Sequence, residues 1–412
     1  MPPWAQFLLI TVVSTGLQLV FHVYAWRRLV RDPALPRRAR RLATGLLIAL
    51  GLSVPATMWL HRAGQFAISD RLGWIGLPWM ALLALLVMTL AAIDLGRWAL
   101  RLGGRVRRRV ARPVPAAARP ALELERETPA DPGRRVMLAR ITGGAAVAVA
   151  GGALAVGVRN ALGPHRIVDV PVTLRGLGRD LDGFTIVQLT DLHAGLTIGR
   201  GYVEDVVARA MALAPDLIAV TGDIVDGSVA ELRDRVAPLA GLRAPHGVFL
   251  VTGNHEYYSG VGPWLREFER LGLRPLRNQR VRITRGTASF ELAGVDDHTA
   301  AGFGGGHGAD YAAALADRDR AVPTVLLAHQ PRQVRAAAEH GVELQLSGHT
   351  HGGQLWPWHY IVRAQQGGLV AGRYRHGDTE LYVCRGCGYW GPPVRLGAPP
   401  EIGRIILRSP LG

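Results

Sequence analysis

From Pro3 to Trp26 the chain runs for 24 positions without a charged residue. Leu42 to Leu60 adds 19 such positions, and Leu72 to Ile93 another 22. Nothing else in the sequence limits the choice of fold as strongly. An α-helix needs about 20 apolar residues to cross the hydrocarbon core of a bilayer, and shorter apolar runs suffice for helices buried in a soluble core. A fourth uncharged stretch, Ile141 to Val158, is weaker because alanine and glycine replace leucine. Pro55 interrupts the second stretch, which a membrane helix tolerates when neighbouring groups satisfy the freed carbonyl.

Charge divides the chain in the same way. The net charge of +16 comes from 48 arginines against 32 acids, with no lysine. Residues 1–160 hold 22 of the arginines and 7 of the acids, whereas residues 161–412 hold 26 and 25. A basic excess interleaved with apolar stretches indicates membrane topology, and no nucleic-acid partner is expected. Arg27 to Arg41 contains seven arginines and Arg97 to Arg140 twelve, against two between His61 and Arg71. The positive-inside rule then puts both arginine-rich loops in the cytoplasm and the N-terminus outside. The fourth stretch would carry the rest of the chain to the extracytoplasmic side of the cell membrane.

Ahead of that stretch lies Gly133-Arg-Arg-Val-Met-Leu-Ala-Arg140. It resembles a twin-arginine export signal, from which Gly133 and Met137 depart, and an ordinary cytoplasmic arginine flank is the other reading. Ala153-Leu-Ala155 permits cleavage without requiring it. The expected organisation is a membrane region with three transmembrane helices over 1–111 and a cytoplasmic linker over 112–140. A fourth transmembrane or signal-like segment follows at 141–158, then an outer domain over 160–412.

Beyond Asp182, short β-branched runs alternate with amphipathic segments, the pattern of an α/β domain. Phe184 to Thr190 reads as a strand ending in Asp191-Leu-His193, and Tyr202 to Ala214 as a helix with Val203, Val206, Val207 and Ala210 on one face. Leu217 to Thr221 leads to Gly222-Asp223, and Val248 to Thr252 to Gly253-Asn-His-Glu256. Thr324 to Ala328 leads to His329, and Val342 to Leu346 to Ser347-Gly-His-Thr-His-Gly-Gly-Gln354. In the last of these, an i, i+2 histidine pair on extended backbone would present both rings to one side. Five strands thus end in Asp, Asn or His, and ligands gather at the carboxyl ends of strands in such sheets. Imidazole, carboxylate and amide oxygen without thiolate suit Mn²⁺, Fe or Zn²⁺. Asp191, His193, Asp223, Asn254, His329, His349 and His351 are too many ligands for one ion, so two divalent metal ions sharing a carboxylate are expected.

The blocks Asp191-Leu-His193, Gly222-Asp223, Gly253-Asn-His-Glu256, His329 and Gly348-His-Thr-His351, in that order, resemble the calcineurin-like metallophosphoesterase superfamily. The resemblance covers roughly residues 165–410. Gly294-Val-Asp-Asp297, Gln354 and Pro400-Glu-Ile402 are similar to an exported or membrane-anchored bacterial phosphodiesterase branch. The resemblance implies a two-sheet β-sandwich flanked by helices, with a dinuclear centre at one edge. It implies that Asp191, His193 and His351 hold one metal, that Asn254, His329 and His349 hold the other, and that Asp223 bridges them. The implied chemistry is hydrolysis of a phosphoester or pyrophosphate by a metal-activated water, with His255 as the proton donor to the leaving alkoxide. A lipid or envelope substrate suits a membrane anchor. A phosphomonoesterase, or a membrane sensor whose outer domain only binds a ligand, are the alternatives.

Five further features stay open from sequence. Cys384-Arg-Gly-Cys387 is read as two packed small residues, with a local disulfide as the other possibility. Glu256 either orients His255 or is a surface acid, and Arg395 either binds phosphate or makes a surface pair. Ala301 to Gly308 is read as a mobile loop near the substrate mouth, with His298 and His307 as contacts. Trp356, Trp358 and Tyr360 line a groove, face a membrane, or join the core, the last being the commonest fate of such residues.

Overall fold

The computed structural model describes residues 3–110 and 131–410, and it divides into two units, Met1–Ala155 and Val156–Gly412. Most of the expected linker, residues 111–130, lies outside the described residues.

The first unit is helical. α1 spans Pro3–Trp26, α2 Arg37–Arg62 and α3 Phe66–Val110, and α4 begins at Pro132 and continues to Leu162. Among the described residues, three helices are long and apolar enough to cross a membrane: the second, the third up to Arg107, and the fourth. Leu46, Leu52, Trp59 and Trp98 are exposed on them, an arrangement water does not favour. The third apolar stretch ends at Asp94, whose carboxylate accepts from Tyr24 Oη at 2.8 Å and from Arg28 at 2.8 Å. α3 is 45 residues long, about 68 Å at the helical rise, so it outruns a bilayer core. The arginine-rich segment after residue 97 is therefore helical at its start, and the Arg134-Arg135 pair lies in the first turn of α4. Both segments are read as loop from charge alone, but arginine is a good helix former.

Among its described residues the second unit holds twelve strands: β1 Arg166–Thr173, β2 Thr185–Leu189, β3 Leu217–Val220, β4 Val248–Leu250, β5 Arg274–Pro275, β6 Gln279–Arg285, β7 Ala288–Gly294, β8 Thr324–Leu327, β9 Leu344–Ser347, β10 Gly372–His376, β11 Thr379–Val383 and β12 Glu401–Arg408. They form two six-stranded mixed sheets, ordered β1-β12-β2-β3-β4-β5 and β10-β11-β9-β8-β7-β6. β2, β3 and β4 run parallel in the first sheet, and β7, β8 and β9 parallel in the second. Helices α5 (Arg200–Ala212), α6 (Val229–Val236), α7 (Asn254–Tyr258) and α8 (Val261–Arg270) join the strands of the first sheet.

Alternation along β3 explains the layers. Leu217 and Ala219 face the second sheet and share one core with Phe184, which precedes β2, and with Phe290, Leu292, Val325 and Leu344 of the second sheet. Ile218 and Val220 face outward onto Val203, Val206 and Ala210 of α5 and Trp264 and Phe268 of α8. Strands covered on both faces read as unbroken apolar runs, as Leu-Ile-Ala-Val does. α6 starts at a capping box in which Ser228 N donates to Glu231 Oε2 at 2.7 Å.

Candidate dinuclear metal centre

Each ligand candidate sits within a few residues of a strand's carboxyl end: β2 leads to Asp191 and His193, β3 to Asp223, β4 to Asn254, β8 to His329, and β9 to His349 and His351. Five of these residues, Asp191, His193, Asp223, His349 and His351, have left-handed backbones with φ between 51° and 71°. That conformation disfavours side chains by about 1–2 kcal/mol per residue, and such strain gathers at functional sites. The histidine pair is therefore not extended, as its spacing suggested. Thr350 is helical between two left-handed neighbours, and this turns the two rings toward different partners.

The donor atoms fall into two groups. One ligand atom each of Asp191, His193 and His351 lie within 4.8 Å of one another, and so do those of Asp223, His329 and His349. Asp223 stands between them: its Oδ2 is 3.0 Å from His329 Nε2 and 3.8 Å from His193 Nε2. Its Oδ1 is held by the amide of His255 at 2.9 Å, which aims the other oxygen inward. The amide of His349 donates to both oxygens of Asp191, at 2.9 and 3.0 Å. Hydrogen bonds at the far side of each ring orient the ligands. His329 Nδ1 donates to Thr221 O at 2.8 Å, and His193 Nδ1 donates to Asp226 Oδ1 at 2.8 Å, so both rings turn Nε2 inward.

These residues fit divalent cations. Ring nitrogens face each other at 3.0 Å between His193 and His351 and at 3.2 Å between His349 and His329, pairings a shared electrophile would satisfy. Asn254 Oδ1 is buried and has no hydrogen-bond partner among the described residues. The neighbouring charges separate the imidazoles of the two groups. Burial opposes ionisation of His329, yet Asp223 and Asp191 outweigh it and raise the imidazole well above its usual range. Burial and the neighbouring His329 push His349 down to about 3, and burial with Arg395 holds His351 well below the ordinary value. Asp223 stays far below the usual carboxylate range despite burial, because His329 and His255 lie beside it.

His255 lies beside both groups, its ring 4.6 Å from that of His193. Its Nδ1 lies 2.7 Å from Asp226 Oδ1, the oxygen that also accepts from His193. Burial disfavours its charged form, but Asp223 and Asp226 overcome this and raise it to about 9. Asp226 is a residue that the sequence reading missed. Its signal was the spacing Asp223-Ile-Val-Asp226, three residues past a candidate ligand.

The open features resolve as follows. Glu256 is fully buried and neither orients His255 nor faces solvent. It accepts from the amides of Asp223, Ile224 and Gly253 at 2.9, 2.7 and 2.7 Å, tying two ligand loops together. Arg395 is also fully buried rather than a surface pair: it donates to His351 O at 2.7 Å and faces His351 Nδ1 at 3.0 Å. Cys384 and Cys387 are free and buried, and burial pushes the Cys387 thiol up to about 12. Phe303 of the glycine-rich loop lies 5.7 Å from the Tyr258 ring, beside α7. His298 is exposed, while His307 Nδ1 is 2.7 Å from the Arg277 guanidinium. Trp356, Trp358 and Tyr360 are exposed, not core.

Comparison with known proteins follows this geometry. The family described as calcineurin-like phosphoesterase matches residues 184–353. An uncharacterized metallophosphoesterase of Helicobacter pylori is 38% identical over 253 residues, 61% of this chain and 66% of that protein. A transmembrane protein with metallophosphoesterase domain from Danio rerio is 31% identical over 419 residues, 98% of this chain and 89% of that protein. The uncharacterized metallophosphoesterase YkuE of Bacillus subtilis is 32% identical over 276 residues, 64% of this chain and 94% of that protein. The match spans just under two thirds of the Helicobacter relative and 60% of a Bos taurus transmembrane relative. With the candidate ligands at strand ends, the two-sheet frame and these relatives together, the chain belongs to the calcineurin-like phosphoesterase family.

Proposed function

We propose that this chain is a membrane-anchored, metal-dependent phosphodiesterase. Its membrane part crosses the bilayer more than once and its catalytic domain faces the extracytoplasmic side. The observation that carries the reading is the position of Asp223 Oδ2, 3.0 Å from an imidazole of one ligand group and 3.8 Å from an imidazole of the other. Asp191, His193 and His351 would hold one cation, Asn254, His329 and His349 a second, and Asp223 both. Mn²⁺, Fe and Zn²⁺ suit this donor set. Cations bound there would supply Lewis acidity, making water more acidic at neutral pH and offsetting charge on phosphoryl oxygens.

The chain's own residues do the rest. Asp226 holds Nδ1 of His255, which leaves Nε2 as the atom that protonates the departing alkoxide. The raised position of His255 keeps that proton available at neutral pH. Glu256 and Arg395 fix the ligand loops from behind, so the donors are preorganised rather than gathered on binding. The membrane anchor favours a lipid-linked or envelope phosphoester as substrate.

The test is hydrolysis of a chromogenic phosphodiester and its monoester by the full chain in detergent with Mn²⁺, beside Asp223→Asn. Diester cleavage that disappears in the variant is the expected result. Cleavage of the monoester alone would replace the diesterase with a phosphatase. Bound metal with neither product would leave a binding domain. A topology reporter fused after Gly412 is expected to score extracytoplasmic, and a cytoplasmic score would reverse the orientation.

A further inference from the structure

Between Gln354 and Gly377 there is no acidic residue, and the segment holds Trp356, Trp358, Tyr360 and Ile361. All four are exposed, as is Trp390. Contiguous large apolar side chains on a surface mark an interaction site. The helix His359–Gln365 buries none of its residues. So short a helix is marginal in water unless something covers its apolar face, here Tyr360 and Ile361.

Two hydrogen-bonded loops make these residues one face. Gln354 Nε2 donates to Trp390 O at 2.8 Å, and its Oε1 accepts from Trp390 N at 2.9 Å. Trp356 N donates to Leu396 O at 2.9 Å. The loop that carries Trp390 and Leu396 is in turn fixed to the last turns of α4. Arg395 N donates to Gly157 O at 2.9 Å, and Asn160 Nδ2 donates to Arg395 O at 3.1 Å. Gly157 comes so near Val394 that a β-carbon would strike its side chain. Only residues 163–165 separate α4 from β1, a reach of about 10 Å. Trp390, Leu396 and residues 157–160 thus belong to one unit, Val156–Gly412, which the apolar stretch precedes in sequence.

We propose that Trp356, Trp358, Tyr360, Ile361 and Trp390 form a docking face for the surface of the lipid bilayer. Tryptophan and tyrosine suit that surface, since each ring pairs an apolar body with a polar group at head-group depth. Arg363, exposed on the same short helix, complements anionic head groups, and no acid in the segment opposes it. The Trp390 ring lies 5.9 Å from that of His255, so the face borders the candidate centre. A phosphoester at the bilayer surface would reach His255 without leaving the lipid. That consequence rests on the hydrolase reading, but the docking does not.

The test uses the full chain in vesicles of phosphatidylcholine and phosphatidylglycerol. An environment-sensitive fluorophore is placed at Trp358→Cys, at Ile361→Cys, or at the control Ala321→Cys. Ala321 is exposed and precedes β8, at the opposite end of the sheet from the ligand loops. Cys384 and Cys387 are buried, which confines labelling to the introduced thiols. Lipids with a shallow spin-label quencher are expected to lower the emission at 358 and 361 and leave 321 unchanged, since aromatic residues at the interface sit at head-group depth. Equal quenching at all three positions, or none at any, overturns the proposal. Repeating the measurement in an Asp223→Asn background separates docking from hydrolysis.

Discussion

Asp226 illustrates how one carboxylate oxygen can set two imidazoles, since it meets Nδ1 of both His193 and His255. Replacing it with asparagine keeps the shape but weakens both orienting bonds. Removing such a partner lowers activity or metal affinity by about 10- to 100-fold, so Asp226→Asn should lower kcat by that range in steady-state kinetics. Asp226→Glu should recover part of the loss, and an unchanged kcat would take Asp226 out of the machinery. Glu256 acts on the fold instead. In Glu256→Ala the amides of Asp223, Ile224 and Gly253 lose their acceptor. Stranding buried donors costs about 1–3 kcal/mol each, though relaxation recovers some of it. A net loss of about 2 kcal/mol would lower the melting temperature by about 4–8 °C in a thermal scan.

At the scale of the element, the centre depends on how closely the strand-end loops approach. A β-carbon at Gly348 would fall on Asp191 Oδ2 and Thr190 Oγ1, and one at Gly253 on Asp223 Oδ1. Neither glycine needs a left-handed backbone, so each is required by contact, not by φ. Gly348→Ala should therefore leave the sheets intact by circular dichroism while pushing the loop from β9 away from the loop after β2. The expected result is metal affinity lowered by at least about tenfold, read from stoichiometry after dialysis. Full retention of metal would show that the loops yield more readily than their hydrogen bonds imply.

For the whole molecule, the energy of binding a cation at the candidate centre would also be folding energy, because candidate ligands from both sheets converge there. A cation at a hundredfold excess over its Kd stabilises the folded state by about 2.7 kcal/mol. Chelation should thus abolish hydrolysis and lower the melting temperature by about 5–10 °C, both restored by Mn²⁺. Loss of activity without a thermal shift would place the metals at a site that does not join the sheets.

The apolar stretches, the arginine asymmetry and the Asp, Asn and His residues at strand ends were legible in sequence because each is a local pattern. Apolar length, period-two alternation and a polar residue after an apolar run need no knowledge of distant contacts. Val203, Val206, Val207 and Ala210 form the buried face of α5, as their spacing indicated. Tertiary structure alone decided what depends on partners remote in the chain. Arg395 read as a phosphate binder or a surface pair because its acceptors, the carbonyls of Gly388 and His351, come together only on folding. Glu256 gains its role from amides 32 and 33 residues away. Trp356, Trp358 and Tyr360 carry core chemistry, yet the fold leaves them exposed. Side-chain type and spacing set what a segment can bury or ligate, whereas packing sets which of those possibilities has a partner.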